Sequence, residues 1–513
     1  MDCLLGIDLG STSLKAVVYD LAGNVVAKAS RRTELCRPST EHPEWAVWQP
    51  AQIWGGVADA VREAVSGLGD ARRVKGVAVT GMGMDGLPID KEGNWLYPLI
   101  SWHCPRTTPQ QQWWLEHVGA AKQFAVGGNP VWAFNTALRI LWLREHEPAL
   151  FARADKWLLI EDFVNFMLCG TRATDYSMAS CTLLFDLHRR DYSDEILGLA
   201  GIDRSLLCDA LPSGTVIGQV QRAAAERTGL AVGTPVVLGG HDFLCGCLPV
   251  GASRPGVVLD VVGTWELVVA ASARPVLNTT VRDMGWWIDS HVARGMYAAI
   301  GSVVAADMLE WFRTLCGFEE AQKAQKDGTV DWDLLMAQAQ AAPPGANGVM
   351  FLPHFSGSTI PVVDPGSMGA FVGLRNLATK GHLLRAVIEG LNYQFLQILA
   401  GLEKGLGVRP EKLVAVGGGA SNAFWMQNKA DVAGKVIEVP QVEEATPLGA
   451  AILAGIGVGL YRDEQDAFAR VYRPGRVYEP DLRLSEPYAA RFAVFEQLYP
   501  ALKDINGRLQ RLG

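Results

Sequence analysis

Residues 3–20 read CLLGIDLGSTSLKAVVYD, and no other stretch restricts the fold of this chain as tightly. Leu4 to Ile7 is an apolar run that ends on Asp8, and Lys15 to Tyr19 is a second run rich in β-formers. Between them stand Gly10, Ser11, Thr12 and Ser13. Such small residues let backbone N–H groups converge on one concavity, an arrangement that binds anions, phosphate above all. This is strand–turn–strand and not a Walker loop: no G-x-x-x-x-G-K-[ST] occurs and no helix follows directly. The carboxylate of Asp8 beside a polyphosphate would be repulsive. A hard divalent cation such as Mg²⁺ relieves that, because it takes carboxylate, water and phosphate oxygens together. Taken alone, the segment also reads as an ordinary edge hairpin with a Gly-Ser turn.

A chain of 513 residues exceeds one typical core, so at least two domains are expected. Apolar residues at 49% and charged residues at 19% match a soluble globular protein and not a disordered one. The net charge of −8, with Arg72-Arg73 and Arg189-Arg190 as isolated basic pairs, argues against a nucleic-acid surface. Of nine cysteines, only Cys245 and Cys247 stand two apart, and no second pair completes a zinc site. An odd count without a framework reads as reduced thiols, hence a cytoplasmic protein. The N-terminus reads as a strand and no apolar run is long enough for a bilayer, so neither a signal peptide nor a membrane partner is expected.

Along the chain, residues 1–30 read as a β-meander with Gly23-Asn24 as its second turn. A helix is expected from Pro50 to Val65, with Ile53, Trp54, Val57, Ala60, Val61 and Ala64 on one face. Val74–Thr80 reads as a buried strand that runs into Gly81-Met82-Gly83-Met84-Asp85-Gly86. Residues 100–210 read as mostly helical, including Thr136–His146 and Ile160–Leu168; Thr234–Gly239 is a further buried strand, ending in Gly240-His241-Asp242. The first domain is expected to span 1–248 and the second 249–513. The second begins GVVLDVVGTWELVVA at Gly256, the same grammar as residues 3–20, which suggests an internal duplication. Helices are expected at Val303–Leu315, His382–Leu402, Ala423–Ala433 and 485–512, with a strand at Leu413–Val416.

Several residues can carry chemistry. Asp242 follows a buried strand, and the carboxyl ends of strands face the ligand crevice in α/β proteins. It can accept a proton from a substrate hydroxyl and, in phosphoryl transfer, orient the nucleophile; as an alternative, it caps the next helix. Gly417-Gly418-Gly419 lies between a strand and a helix, with Ser421 or Asn422 as cap, and glycines let backbone come close to a nucleotide. Glu444-Ala-Thr-Pro-Leu-Gly449 opens a small-residue helix suited to close packing. Asp85, Trp102, Arg106 and Asn135 sit in loops of the first half and offer the hydrogen bonds and apolar ring face that a carbohydrate needs.

In order and spacing these motifs resemble the FGGY family of carbohydrate kinases, over nearly the whole chain. Phe134-Asn-Thr-Ala-Leu-Arg139-Ile-Leu-Trp142 is similar to the first family pattern, although that pattern usually has Lys where this chain has Arg139. Gly369 through Gly390 is similar to the second. The resemblance implies an α/β, two-domain actin/hexokinase-like (ribonuclease H-like) ATPase fold with the active site in the interdomain cleft. It implies transfer of the ATP γ-phosphoryl group to a sugar hydroxyl. Asp8 and Asp242 become the catalytic pair, with Asp242 as base and both near Mg²⁺. Gly10, Ser11, Thr12, Ser13 and Lys15 become the first phosphate loop, Gly263 and Thr264 the second, and Gly418, Gly419 and Asn422 the adenosine side. Met84, Asp85, Trp102, Arg106, Asn135, His241 and Asp242 become the sugar site, and a homodimer is a permitted assembly.

Within the family, the Asp90–Thr107 stretch, Met84-Asp85-Gly86, Phe134-Asn135-Thr136 and Gly263-Thr-Trp-Glu266 resemble the L-fuculokinase branch. Xylulokinases usually carry Gln-Met-His-Gly where this chain has Gly83-Met84-Asp85-Gly86. One departure stands beside the base: Phe243-Leu-Cys-Gly follows Asp242, where fuculokinases more often have Thr-Gln. The expected acceptor is therefore L-fuculose, with D-xylulose or another pentulose or deoxyketose as alternative. An actin- or chaperone-like ATPase indifferent to sugars is the reading from a different class.

Overall fold

The computed structural model describes residues 1–512. Two sheets carry it, and each begins with the hairpin grammar read above. The first is built from β1 (Cys3–Leu9), β2 (Ser13–Asp20), β3 (Val25–Arg32), β4 (Val74–Gly81), β5 (Val216–Gln219) and β6 (Pro235–His241), in the order β5-β6-β4-β1-β2-β3. The second is built from β7 (Val257–Val262), β8 (Trp265–Ser272), β9 (Trp287–Ser290), β10 (Tyr297–Val304), β11 (Lys412–Val416), β12 (Ile437–Val439) and β13 (Arg476–Tyr478), in the order β9-β10-β8-β7-β11-β12-β13.

The two sheets share a topology. In the first, β1 pairs antiparallel with β2 and parallel with β4, which pairs parallel with β6. In the second, β7 pairs antiparallel with β8 and parallel with β11, which pairs parallel with β12. An antiparallel edge strand closes each series beyond the last parallel strand. A strand–turn–strand unit thus recurs with its crossover partners.

Helix α1 (Pro50–Ser66) lies on β2 and β3 with Pro50 in its first turn, where a missing N–H costs nothing. Ile53, Val57, Ala60, Val61 and Ala64 are buried against the sheet as the periodicity predicts, and Trp54 is half-buried. Each of the larger aliphatic side chains so covered contributes roughly 1.5–3 kcal/mol. Helices α2 (Thr136–His146) and α3 (Ile160–Cys169) follow in the inserted lobe of the first half. That lobe also carries short strands, such as Lys156–Leu159, and so is less uniformly helical than its sequence suggests.

The two halves meet through α4 (Asp242–Cys247) and, after α5 (Ala306–Cys316), α6 (Lys380–Leu406) and α7 (Ala423–Ala433), through α8 (Ala445–Gly457). Although α8 belongs to the second half of the chain, it packs on β1, β4 and α4. A Cβ on Gly6 would collide with the Pro447 carbonyl, and one on Gly449 with the Cys245 carbonyl. Close packing, the use read above for this stretch, is what its small residues deliver. The chain closes with α9 (Ser485–Gln510).

Two boundaries are corrected. Val303 and Val304 belong to strand β10, and the helix expected from Val303 begins at Ala306. Val303 and Val304 pair with Glu266 and Trp265 of β8, so tertiary pairing overrides the helical period. Strand β6 continues through His241, which brings Asp242 directly to a strand end.

Candidate functional site

Strands β1, β4 and β6 lie side by side and parallel, so their carboxyl ends open on one edge. Asp8 stands opposite Thr80 in the β1–β4 register, and His241 stands opposite Gly81 in the β6–β4 register. Asp8, the Met82–Asp85 loop and Asp242 therefore gather at that edge. Burial first, then the charge of Asp242, with Glu444 adding and Lys15 opposing, raises Asp8 from 3.8 to about 7. Two carboxylates at one buried edge repel, and a divalent cation would relieve both. Among the described residues no group of three or more His, Cys, Asp or Glu forms a metal cage. Asp8 and Asp242 nonetheless fit Mg²⁺, which typically uses one or two carboxylates plus substrate phosphates.

The turn after β1 is tightly closed: the Gly10 N–H donates to the Ser13 carbonyl (3.2 Å), and the Thr33 hydroxyl donates to the Gly10 carbonyl (2.7 Å). Lys15 stands opposite Asp8 in the hairpin and reaches across to Glu444 at the start of α8 (2.6 Å). Glu444 is held in the left-handed region at φ 58°, and its carbonyl accepts from the Tyr19 hydroxyl (3.1 Å). The first turn and the second half are thus tied together beside Asp8.

Asp242 opens α4. His241 Nδ1 (2.9 Å) and the Phe243 N–H (2.6 Å) both donate to its Oδ1. Burial pulls the His241 imidazole down, but the hydrogen bond and charge of Asp242, with Asp289 and Asp175 adding, hold it above its ordinary value. Its backbone N–H donates to Ser177 Oγ (2.9 Å), and the Phe243 ring lies 4.2 Å from the imidazole. Gly83 makes room for the imidazole, because a Cβ there would overlap the ring. That is a physical reason for one glycine of the Gly81–Gly86 loop.

The residues read as a sugar site separate into two layers. Met84, at φ 76°, has its carbonyl held by the Thr136 hydroxyl (2.8 Å) and by Arg139 (2.6 Å). Trp102 is 38% exposed, stacks on His103 at 3.8 Å and meets Phe134 edge-on. Behind them, Asp85 is fully buried, with one oxygen on Arg139 (2.8 Å) and the other on Trp48 Nε1 (2.6 Å). Asn135 accepts from the Trp132 N–H (2.7 Å) and donates to the Cys181 carbonyl (3.0 Å). Arg106 is buried over Trp45 (4.3 Å) and Trp142 (4.9 Å), with Tyr97 on one nitrogen (3.1 Å). Asp85 and Asn135 spend their polar atoms inside the wall, and Arg106 is buried there with Nη2 unpartnered, so a direct sugar contact from Asp85 would require Arg139 and Trp48 to let go.

The structure adds residues that sequence reasoning did not select. Trp132 stacks on Phe134 (5.5 Å) and meets Trp287 of β9 edge-on (5.3 Å), which joins the two halves through aromatic rings. Asn129 Nδ2 donates to Asp289 Oδ1 (2.8 Å) across the same junction. Burial raises Asp289 to about 6, against the pull of Asn129 and His241. Only the final Trp-Asn-Thr cluster around 132–136 could have hinted at this surface, since Trp287 lies some 150 residues further along.

On the second sheet, Gly263 and Thr264 form the turn between β7 and β8. Their carbonyls accept from Ala306 (3.1 Å) and Ala305 (3.0 Å) at the start of α5. The Gly417–Gly419 segment lies directly on Val262: a Cβ at Gly417 would come within 2.7 Å of the Val262 carbonyl oxygen. Asn422 Oδ1 accepts from the Trp425 N–H (3.1 Å) and so caps α7. Gly263–Thr264 and Gly417–Asn422 are therefore one continuous surface. Cys245 and Cys247 are buried free thiols, and among the described residues no helix is long and apolar enough to cross a membrane.

Sequence profiles described as the FGGY family of carbohydrate kinases match this chain, the N-terminal domain over residues 3–248 and the C-terminal domain over residues 259–458. The chain is 32% identical to the L-fuculokinase of Escherichia coli (strain K12), covering 93% of this chain and 97% of the relative. It is 28% identical to the xylulose kinase of Bacillus subtilis (strain 168), covering 99% of each. Among solved structures, xylulose kinase from Rhodospirillum rubrum superposes with a TM-score of 0.90 at 30% identity, covering 98% of this chain and 100% of that one.

Proposed function

The chain belongs to the FGGY family of carbohydrate kinases, ATP-using phosphotransferases with an alcohol acceptor, and on that premise we propose that it phosphorylates a hydroxyl of a ketose, first of all L-fuculose. The fold is the two-domain actin/hexokinase-like one that its structural relatives share. The observation that carries the reading is the Asp8–Asp242 pair at the carboxyl edge of β1 and β6, in a fold whose second sheet repeats the anion-binding hairpin.

In this proposal, residues 1–248 bring the acceptor and 249–513 bring most of the nucleotide. Asp242, steadied by His241 and the Phe243 N–H, orients the acceptor hydroxyl and takes its proton as the bond to phosphorus forms. Ser11 and Thr12 of the first turn and Thr264 of the second would offer backbone N–H groups to the phosphates, the Gly10 and Gly263 N–H groups closing the turns themselves, and Gly418, Gly419 and Asn422 would take the adenosine. Asp8 and Asp242 would hold Mg²⁺, which when bound neutralises phosphate charge. Lys15 is engaged by Glu444 and reaches phosphate by exchanging that partner.

The acceptor preference rests on the wall. Trp102, Phe134, Trp132 and Trp287 form a chain of ring contacts that runs from the first half to the second. Aromatic faces suit a sugar with one apolar end, and L-fuculose carries a methyl group where a hydroxymethyl would otherwise stand. The wall residues shared in kind with L-fuculokinases support the same choice. The Bacillus and Rhodospirillum relatives are named as xylulose kinases, and D-xylulose is the alternative acceptor. A coupled ATP-consumption assay against L-fuculose, D-xylulose, other deoxyketoses and polyols tests both levels. A kcat/KM for L-fuculose at least tenfold above D-xylulose is expected; the reverse order overturns the acceptor, and ATP turnover indifferent to every sugar overturns the kinase mechanism assigned to Asp242.

A further inference from the structure

Beneath the Gly263–Thr264 turn, on the face of the second sheet turned away from the cleft, three charged side chains are sealed from solvent. Asp260 of β7, Glu266 of β8 and Lys429 of α7 are 1%, 0% and 0% exposed. Lys429 Nζ donates to Asp260 Oδ2 (2.6 Å) and to Glu266 Oε1 (3.0 Å). The ammonium also sits 4.5 Å from the Phe395 ring and 5.5 Å from the Trp425 ring. Asp260 Oδ1 and Glu266 Oε2 have no donor among the described residues. Burial, the largest cause, raises both carboxyl groups, and a proton held on one of them supplies a donor to a pair that otherwise has only Lys429. With that proton, two acids and one ammonium become a neutral unit. Without it, a net negative charge is buried, which protein interiors do not tolerate cheaply.

The location gives the unit its meaning. Glu266 faces Val262 across the turn, and Asp260 lies two residues before Val262 on the other strand. Both strands that flank Gly263–Thr264 are therefore gripped. Lys429 stands nearly two turns past Asn422 on the helix that Asn422 caps, and Trp425, whose ring lies 5.5 Å from the ammonium, donates its N–H to Asn422 Oδ1, so the unit is linked to the Gly417–Asn422 segment as well. Val262 is the surface on which Gly417 and Gly419 rest. We propose that Asp260, Glu266 and Lys429 are positioning residues for the nucleotide: a neutral buried unit that fixes the Gly263–Thr264 turn against the Gly417–Asn422 loop, so that one ATP spans both. This rests on the nucleotide reading of those two loops given above.

The test is titration of the full-length protein with a fluorescent ADP analogue in Mg²⁺, well below the melting temperature of each variant. Lys429→Met removes the cation and is expected to weaken ADP at least tenfold. A folded K429M that binds ADP within twofold of wild type overturns the proposal, because a structural role alone lowers melting without moving affinity. Glu266→Gln keeps size and a donor but cannot ionise, so it is expected to fold, and its ADP affinity is followed across pH beside that of wild type. Burial, then Asp260, raises Glu266 to about 8, and Lys429 opposes; Asp260, Lys429 and the Phe395 and Trp425 rings are the polar and aromatic groups around it. Wild-type ADP affinity is therefore expected to fall as pH climbs past about 8, and the affinity of E266Q to stay level. Identical pH responses overturn the proposal even if K429M does not fold. Failure of wild type itself to bind ADP overturns the nucleotide reading, and this one with it.

Discussion

The two hairpins share a backbone and divide the charge. In the first, the pair one step back from the turn is Asp8 opposite Lys15. In the second, the pair at the corresponding step is Val261 opposite Leu267. Both pairs face the junction between the halves: Leu4, Val17 and Tyr19 on one side and Leu259 and Val269 on the other belong to a single apolar cluster there. The second hairpin has acids too, Asp260 and Glu266, but they point the other way and are neutralised by Lys429. If both turns hold phosphate, as proposed, one repeated backbone serves as two instruments. The first would present a carboxylate that needs a cation before phosphate can approach; the second would present backbone alone, with its acids behind the sheet.

The largest effect expected falls on Asp242, the proposed base. Asp242→Asn keeps the shape and the hydrogen bond from the Phe243 N–H but removes proton acceptance, so kcat is expected to fall about 10²–10⁴-fold with ADP affinity retained. Steady-state kinetics together with ADP titration measure the split. A kcat within tenfold of wild type would remove Asp242 from the mechanism and leave Asp8 as the only functional acid of the pair.

Next comes the wall on the first hairpin's side. Asp85→Ala leaves the Arg139 guanidinium buried without its anion, and breaking a buried pair costs about 3–5 kcal/mol (the pair is fully sealed on both sides). Chemical denaturation measures the loss. The Met84 carbonyl also hangs on Arg139, so sugar KM should rise in whatever fraction stays folded. A variant as stable as wild type would mean that Asp85 is free to turn toward the sugar after all.

How much of this was legible in the sequence depends on distance along the chain. Asp8, Asp242, Gly263 and Thr264 each sit at a strand end that alternation and glycines announce locally, and the helices at Thr136–His146 and Ala423–Ala433 have the bounds their periodicity implies. Partners far apart were not legible. Nothing near Asp85 says that Arg139 and Trp48 will close on both its oxygens, and nothing near Glu266 says that Lys429, 163 residues on, will answer it. Arg139 stood out only as a departure from a family pattern, and its ion pair with Asp85 gives the guanidinium fork a physical use that the lysine point charge would meet differently. The strand end at Val303–Val304 was misread because apolar β-branched runs fit either period until pairing decides.

A transplant sharpens the comparison directly. Val261→Asp places in the second hairpin the acid that only the first one turns toward the cleft. Like charge against the phosphates is expected to weaken ATP about tenfold, and extra Mg²⁺ should restore part of it. Unchanged affinity would mean that the second turn does not face phosphate.

The last effect is one that reads the first hairpin without any substrate. Asp8 titrates at about 7 in the folded protein against 3.8 for its ordinary value, through burial first and Asp242 second. The folded state therefore holds a proton that the unfolded chain releases. By linkage, the stability linked to Asp8 is undiminished below about pH 4, is lost progressively as pH rises toward about 7, and is level above that. Asp8→Asn removes this loss, so the variant should be more stable than wild type by about 1–3 kcal/mol near pH 8 and indistinguishable from it near pH 4. Other buried acids, Asp162 and Asp289 among them, titrate in the same window, so the quantity to follow is the difference between variant and wild type, by denaturant titration across pH. Mg²⁺-ADP should stabilise wild type more than the variant near pH 8, because only wild type has the carboxylate that the cation would relieve. A difference that does not change with pH would mean that Asp8 is already ionised and compensated in the free protein, and the contrast with Val261 would then be one of shape and not of charge.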